Sequence, residues 1–446
     1  MKKVITYGTY DLLHEGHINL LRRAKALGDY LIVGVTNDSF DRERGKLNVR
    51  NNVLERVEAV KATGIVDKVI IEDYMGQKID DVLKYDVDVF AIGSDWEGKF
   101  DYLSEFCEVV YLPRTEGVSS TMLRAESEVV INIAMVGCGR IAQRFYAEVE
   151  NVDAASVSAL YDINPDAAAR LNPELVVDSF ERAVEMSDAL YIATPHNLHY
   201  EQAKYALEHG RHVLCETPMV LREAEAKELF ALAKERGLML MEANKTAYSP
   251  AFNHLITLVK SGLIGDVVGI DASESKLWGE ENLKRELNPA MSGGSLYEMG
   301  SYPLLPIMKL LGTEYKSINI YSRMNENGVD VYTRGIMRYA GAVASFQLGL
   351  GVKTEGNLVI SGTQGYVYVP SPWWKTDYFE LRYEDQNRNK KYFYKWDEPG
   401  LRYEIQEFVS CIVNGRGSSA RLTPRQSIAM ARVMEQFTNR ENLFEI

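Results

Sequence analysis

The sequence predicts an α/β chain carrying two successive doubly wound parallel sheets. Apolar β-like runs at Val4 to Tyr7, Leu31 to Val35, Lys68 to Ile71, Val87 to Ile92 and Val109 to Leu112 alternate with helix-spaced patterns. A second buried run, Val129 to Val136, starts the pattern again and ends in Gly137-Cys138-Gly139-Arg140-Ile141-Ala142. At 446 residues the chain exceeds one ordinary core, so two or three domains are expected.

Composition narrows the class. The 46% hydrophobic and 25% charged content is that of a globular protein. A net charge of −13 with no basic cluster argues against nucleic acid as a partner, so anionic substrates must be held by local Arg, Lys and backbone N–H groups. The four cysteines, Cys107, Cys138, Cys215 and Cys411, are scattered without metal-like pairing; they read as reduced thiols, and no metal ligand set is expected. Met1-Lys2-Lys3 leads into a strand rather than a signal core, and no run approaches spanning length. The expected setting is cytoplasmic, with no membrane partner.

The first candidate site follows the first strand. Tyr7-Gly8-Thr9-Tyr10-Asp11-Leu12-Leu13-His14-Glu15-Gly16-His17 runs from strand through turn into a helix pattern at Ile18 to Lys25. Free N–H groups and the dipole at a helix N-terminus favour an anion. Imidazoles at His14 and His17 would donate hydrogen bonds to phosphoryl oxygens as charge builds on them. Ligands on a parallel sheet gather at the strands' carboxyl ends. There fall Asn37 to Lys46, Gly93-Ser94-Asp95-Trp96 and Arg114 to Thr121.

Three motifs in order make the resemblance specific: Gly8-Thr9-Tyr10-Asp11 with His14-Glu15-Gly16-His17, Asp95 to Asp101, and Arg114-Thr115-Glu116-Gly117-Val118-Ser119-Ser120-Thr121. Residues 1–127 resemble the cytidylyltransferase family typified by glycerol-3-phosphate cytidylyltransferase. The resemblance implies that CTP lies across His14 and His17, with Arg114 and the helix start at Ser119, Ser120 and Thr121 on its β- and γ-phosphates. It also implies that Lys46 and Arg56 help hold the second substrate's phosphate, and that Mg²⁺ neutralises the triphosphate. Ser120 stands where the family often has Thr, which keeps the hydroxyl. Trp96 is open to two readings, packing or contact with the base.

Ala125 to Glu128 is short and polar, which puts a boundary near 128. The G-x-G-x-x-A run at 137–142 follows a strand, precedes a helix pattern, and is answered about 20 residues on by Asp162, closing the strand Val157 to Tyr161. This is a Rossmann-like dinucleotide site at Gly137, Gly139, Arg140 and Ile141, with Asp162 on the ribose. No Arg follows Asp162 directly, so NAD(H) is favoured over NADP(H).

Ala193-Thr194-Pro195-His196-Asn197-Leu198-His199, Val213 to Pro218, Glu242-Ala243, Ser249-Pro250-Ala251-Phe252, Ser261 to Gly265, Asn288-Pro289 and Gly293 to Tyr302 carry a second resemblance. Nearly all of 131–446 resembles the oxidoreductase family that includes glucose–fructose oxidoreductase and dimeric dihydrodiol dehydrogenase. This implies a dinucleotide-binding domain over 128–248, with Thr194 and Glu216 in the cofactor site. It further implies an α+β domain over 249–446 on an open, mainly antiparallel sheet, which the runs Ser317 to Ser322, Val331 to Tyr339, Val343 to Leu350 and Leu358 to Ser361 fit. The helical stretch Pro424 to Asn439 is expected to pack back on the dinucleotide-binding half.

Two departures bear on activity. The family reads Glu-Lys-Pro where this chain has Glu216-Thr217-Pro218, so the usual catalytic lysine is missing. Tyr302 stands where many members have His, and it is the expected proton donor if a cation lowers its pKa. Lys245 is a candidate for that cation, although solvation at the surface is its expected role. His196 and His199 line the nicotinamide pocket or cap the following helix, and Glu298 replaces the more usual Asp.

The expected activity is transfer of CMP from CTP to a polyol phosphate, glycerol phosphate first, for capsule or teichoic-acid-like polymers. The second part would bind NAD(P) and act on a related polyol or keto-sugar. Two alternatives stand: an impaired NAD-binding oligomerisation or regulatory module, or ribitol, ethanolamine or choline phosphate as acceptor. A homo-oligomer is expected, because an open sheet with one uncovered face offers a dimer surface.

Overall fold

Strands β1 (Lys3–Gly8), β2 (Tyr30–Thr36), β3 (Lys68–Glu72), β4 (Val89–Gly93) and β5 (Glu108–Leu112) form a parallel sheet in the order β3-β2-β1-β4-β5. The computed structural model describes the chain except residues 44–48, 50, 74–75, 114–129, 153, 278–284 and 395–399. The chain divides into two compact units, Met1–Val129 and Val130–Ile446.

In the first unit the near-continuous apolar character of β1, β2 and β4 follows from burial on both faces. Val4, Leu31, Val33, Val89 and Ala91 face one layer with Leu21 and Ala24 of the helix Glu15–Lys25 and Val57 and Val60 of the helix Val53–Ala62. Ile5, Ile32 and Phe90 face the other, with Val82 of the helix Gln77–Tyr85. Asn52 and Glu55 form a capping box that starts the helix Val53–Ala62. The strand order reverses between β1 and β4, which opens a crevice at their carboxyl ends.

The second unit repeats the device. Strands β6 (Ile131–Val136), β7 (Ala155–Tyr161), β8 (Ala189–Ile192), β9 (His212–Glu216) and β10 (Leu240–Ala243) lie parallel in the order β10-β9-β8-β6-β7, with the switch between β6 and β8. A nine-stranded sheet follows, built from β11 (Val267–Lys276), β12 (Ser317–Met324), β13 (Asp330–Arg338), β14 (Val343–Leu350), β15 (Leu358–Gly362), β16 (Tyr366–Val369), β17 (Tyr378–Arg382), β18 (Lys390–Phe393) and β19 (Leu443–Glu445). Its pairs are antiparallel except β11 with β14 and β12 with β19. Alternation along β13 buries Thr333, Gly335 and Met337 and exposes Arg334, Ile336 and Arg338, so one face of this sheet is uncovered. This is the α/β class the sequence predicts, with the α+β part after two doubly wound sheets.

Thr423 and Gln426 cap the helix Pro424–Thr438, with Pro424 in the first turn where its missing N–H costs nothing. Ala431 of this helix sits in the same core as Val136, Ile192 and Leu229, so it does pack on the dinucleotide-binding half. Arg402 clasps Glu148 through Nε at 2.6 Å and Nη2 at 2.8 Å, fastening the helix Arg402–Val413 to the helix Arg140–Val149. No cysteine is in a disulfide. Among the described residues no helix is long and apolar enough to cross a membrane.

Candidate active sites

In the first unit the turn after β1 is held in an unusual shape. Tyr10 and Leu12 have φ of +53° and +46°, a left-handed backbone that non-glycine residues adopt at a cost. Buried contacts hold it there. Thr9 Oγ1 donates to Asp41 Oδ1 at 2.8 Å, and Thr36 Oγ1 donates to the same oxygen at 2.7 Å. Asp11 is buried and accepts the Asn51 N–H at 3.0 Å.

His14 is the N-cap of the helix Glu15–Lys25, and its Nδ1 accepts the Gly16 N–H at 3.1 Å. That bond puts the proton of a neutral ring on Nε2, the donor a phosphoryl oxygen needs. The His17 ring stacks on His14 with centroids 3.9 Å apart, and Tyr10 meets His17 edge-on at 5.4 Å. The pair follows β1, while Asp95 and Trp96 follow β4, so the motifs stand at the two strands that flank the crevice. Asp95 is exposed; Trp96 is half-buried, and its ring lies 5.9 Å from that of Phe100.

Arg56, expected near the second substrate's phosphate, sits in a buried network of its own. Its guanidinium is fully buried, donating from Nη1 to Asp41 Oδ2 at 2.9 Å and to the Thr9 carbonyl at 2.7 Å, from Nε to the Asn51 carbonyl at 2.9 Å, and from Nη2 to Asp38. With four of its five N–H groups so engaged, it positions the Thr9 turn. Asp41 and Asp38, which complete this network, carry no motif that points to an arginine so far along the chain. Lys46, Arg114, Ser119, Ser120 and Thr121 lie outside the described residues.

In the second unit Gly137 has φ +88°, and a Cβ there would lie 2.6 Å from the Ala193 carbonyl oxygen, so only glycine fits where the fingerprint abuts the end of β8. At Gly139 a Cβ would meet nothing within 4 Å, and the helix Arg140–Val149 starts there without a side-chain cap. Open space before uncapped N–H groups fits a dinucleotide pyrophosphate. Asp162 accepts the Cys138 N–H at 2.7 Å and the Asn164 N–H at 2.8 Å, tying the end of β7 to the fingerprint. Arg140 extends to Glu286 rather than along its own helix, and Ile141 is half-buried. The Thr194 hydroxyl donates to Gln202, while its carbonyl contacts His199 Nε2 at 2.9 Å.

His196 and His199 are core groups. Burial, with like charge nearby, pushes both down to about 4, and His199 also contacts the Pro218 carbonyl at 3.0 Å through Nδ1. His196 lies 3.9 Å from Glu298, whose other oxygen takes Arg285 at 2.6 Å.

Around the missing lysine the geometry is new. Thr217 is buried, and its hydroxyl donates to Glu242 Oε1 at 2.8 Å. Glu216 accepts the Tyr191 hydroxyl, and Tyr191 stacks on Phe145 at 3.6 Å. Burial lifts Glu216 to about 7 and Glu274 of β11 to about 7. Two expectations change here. Lys245 is half-buried rather than a solvated surface cation, and burial lowers it against the pull of Glu404, Glu274 and Glu216. Tyr302 is held well above the ordinary phenol value, by burial first and then by Glu216, Glu274, Glu404 and Glu242, so it stays a protonated phenol. The sequence reading missed Glu274 and Glu404. Glu404 did leave a signal: it shares a helical stripe with Phe408 and Cys411, an acid on an apolar face.

Residues 5–126 match the cytidylyltransferase-like family, 131–244 the NAD-binding Rossmann fold of the GFO/IDH/MocA oxidoreductase family, and 252–368 that family's C-terminal domain. The chain is 51% identical to the glycerol-3-phosphate cytidylyltransferase of Bacillus spizizenii over 126 residues, 28% of this chain and 97% of the relative. It is 28% identical to scyllo-inositol 2-dehydrogenase (NADP(+)) IolU of Bacillus subtilis over 317 residues, 69% of this chain and 96% of that one. The second unit's fold is that of KijD10, a 3-ketoreductase from Actinomadura kijaniata solved with NADP and TDP-benzene, at TM-score 0.64 and 22% identity over 71% of this chain and 99% of that one. The chain thus belongs to the cytidylyltransferase-like family through its first unit and to the GFO/IDH/MocA oxidoreductase family through its second.

Proposed function

We propose that residues 1–127 transfer CMP from CTP to an alcohol phosphate, with glycerol phosphate first among acceptors. The observation that carries this is the stacked pair of His14, the N-cap, and His17, in the first turn of the helix Glu15–Lys25, at the switch-point crevice. A phosphate oxygen of the acceptor attacks the α-phosphorus in line, the bond to the bridging oxygen breaks, and pyrophosphate leaves with the electron pair. His14 and His17 donate to the oxygens that gain charge, while Thr9, Tyr10 and Asp11 hold the turn that presents them. Arg114, Lys46 and the hydroxyls of Ser119, Ser120 and Thr121 take the remaining phosphates. Among the described residues no three His, Cys, Asp or Glu side chains gather as a metal cage, so Mg²⁺ in this reading travels with the triphosphate.

The second unit, by the same proposal, binds NAD(H) or NADP(H), with Gly137, Gly139, Arg140 and Ile141 on the pyrophosphate and Asp162 on a ribose. Thr194 and Glu216 line the nicotinamide end. When bound, the dinucleotide supplies or accepts a hydride at a carbonyl or alcohol carbon of a related polyol or keto-sugar. We further propose that the division falls at 127/128 and 248/249, that copies pair through the uncovered face of the nine-stranded sheet, and that the protein works in the cytoplasm. The rival, a dinucleotide-binding module without turnover, draws on Thr217, whose hydroxyl is tied to Glu242 and carries no charge.

The test is a product assay on the full chain with CTP and glycerol, ribitol, ethanolamine and choline phosphates. CDP-glycerol and pyrophosphate in equal amounts are expected. Equal rates with ATP in place of CTP would refute the nucleotide assignment.

A further inference from the structure

Resting on the dinucleotide-binding reading of the second unit, we propose that Lys245 takes over the role of the lysine missing at position 217 and works with Tyr302 and Glu404 as the unit's proton-handling group. β9 and β10 run in register to their last pair, Glu216 opposite Ala243. The residues just beyond are therefore neighbours, Thr217 on one strand and Asn244 then Lys245 on the next. A cation lost at the end of one strand returns at the end of the adjacent one.

A hydrogen bond brings in the tyrosine. The Asn244 side chain donates to the Ser301 carbonyl at 3.3 Å, which joins the residue before Lys245 to the residue before Tyr302. The helix Lys245–Tyr248 packs on the helix Arg402–Val413, and the helix Ser301–Leu310 packs on β11, which bring Glu404 and Glu274 to the same place. Glu216, Lys245 and Tyr302 are half-buried, while Glu242, Glu274 and Glu404 are buried. Both carboxyl oxygens of Glu404 are buried without a hydrogen-bond partner. A buried acid in that state is costly unless protonated or served by a cation. Lys245 is the cation it faces, and Glu274, Glu216 and Arg144 are the other charged groups around that amine.

The chemistry balances in the reducing direction. As a hydride and its electron pair reach the carbonyl carbon, the C=O π pair moves to oxygen, and Tyr302 gives that oxygen its phenolic proton. Lys245 returns a proton to the phenolate and recovers one from bulk solvent through its half-buried amine, while Glu404 favours the charged form of that amine. A buried lysine shifts its pKa readily and can do this; an arginine holds its proton and cannot. Glu404 acts through Lys245, as a positioning residue.

The experiment uses the full chain with its lysines reductively methylated with ¹³C-formaldehyde, the Lys245 resonance being the one absent from Lys245→Arg. It is expected to titrate below the exposed lysines, and lower still in Glu404→Gln, because Glu404 is the strongest group favouring its charge. Lys245→Arg and Lys245→Met are both expected to cut NADPH-dependent reduction roughly 10²-fold or more, with NADPH binding by fluorescence within twofold of the parent. The double variant Lys245→Met with Thr217→Lys is expected to recover part of that rate. NADPH binding alongside a Lys245 resonance indifferent to Glu404→Gln overturns this proposal alone. A chain that binds neither NADH nor NADPH overturns the cofactor reading beneath it.

Discussion

The two units assemble their sites in opposite ways. In the first, Gly8 to His17 supplies strand end, strained turn, helix cap and both imidazoles within ten consecutive residues. In the second, Glu216, Lys245, Glu274, Tyr302 and Glu404 come from five separate elements that meet only through long-range packing. The local site carries the motif on which the first unit's resemblance rests. The dispersed one has lost one lysine and has another cation in the neighbouring position. A site assembled from many elements can exchange the origin of a charge without moving the strands that frame it, whereas a ten-residue turn has no second place to take it from.

The sharpest way to break this contrast is His17→Ala. If the pair in the first unit stabilises the transferring phosphoryl group, CDP-glycerol formation should fall by roughly 10²-fold or more, measured as product per minute, while NADPH binding stays unchanged. An unaltered rate would make the local site no more than a well-capped helix. The next effect is on stability. Asp41→Ala removes the acceptor of Thr9, Thr36 and Arg56, leaving a buried guanidinium short of a partner. The first unit should lose about 3 kcal/mol, read from urea unfolding, with the second unit's transition in place.

The smallest effect tests the dispersed site. Burial raises Glu274 to about 7, above its ordinary 4.5, so its neutral form stabilises the fold fully below about pH 4.5. That contribution is lost as the pH rises through 7. Glu274→Gln should therefore melt a few degrees above the parent at pH 8, at about 2–4 °C per kcal/mol, and level with it at pH 5. Equal midpoints at both pH values would show that Glu274 is solvated.

How far the sequence revealed each site follows from the same contrast. The crevice of the first unit was legible because spacing alone carries it: an apolar run, a glycine and a cap residue at fixed offsets. The ion pairs of Arg56 were not visible because its partners, Asp38 and Asp41, lie 18 and 15 residues away on another element, where no periodicity links them. Lys245 followed the same rule. After Asn244 it reads as a polar residue beyond a strand, and only the packing of the helix Arg402–Val413 over it turns that position into an interior one. The parallel sheets, the fingerprint and the closing helix were visible, since each is set by local pattern.

The seat of Ala431 in the core of the dinucleotide-binding half governs how this protein is made on the ribosome. Residues 1–129 contain all of their own sheet and can close as soon as they leave the exit tunnel. The second unit finishes later. Its layer of Val136 and Ile192, packed on Ala206 and Leu229 of nearby helices, lacks Ala431 until the helix Pro424–Thr438 has been synthesised, nearly 200 residues after β10. At roughly 5–20 residues per second that is an interval of about ten seconds or more in which a half-built sheet must avoid its neighbours on the same polysome.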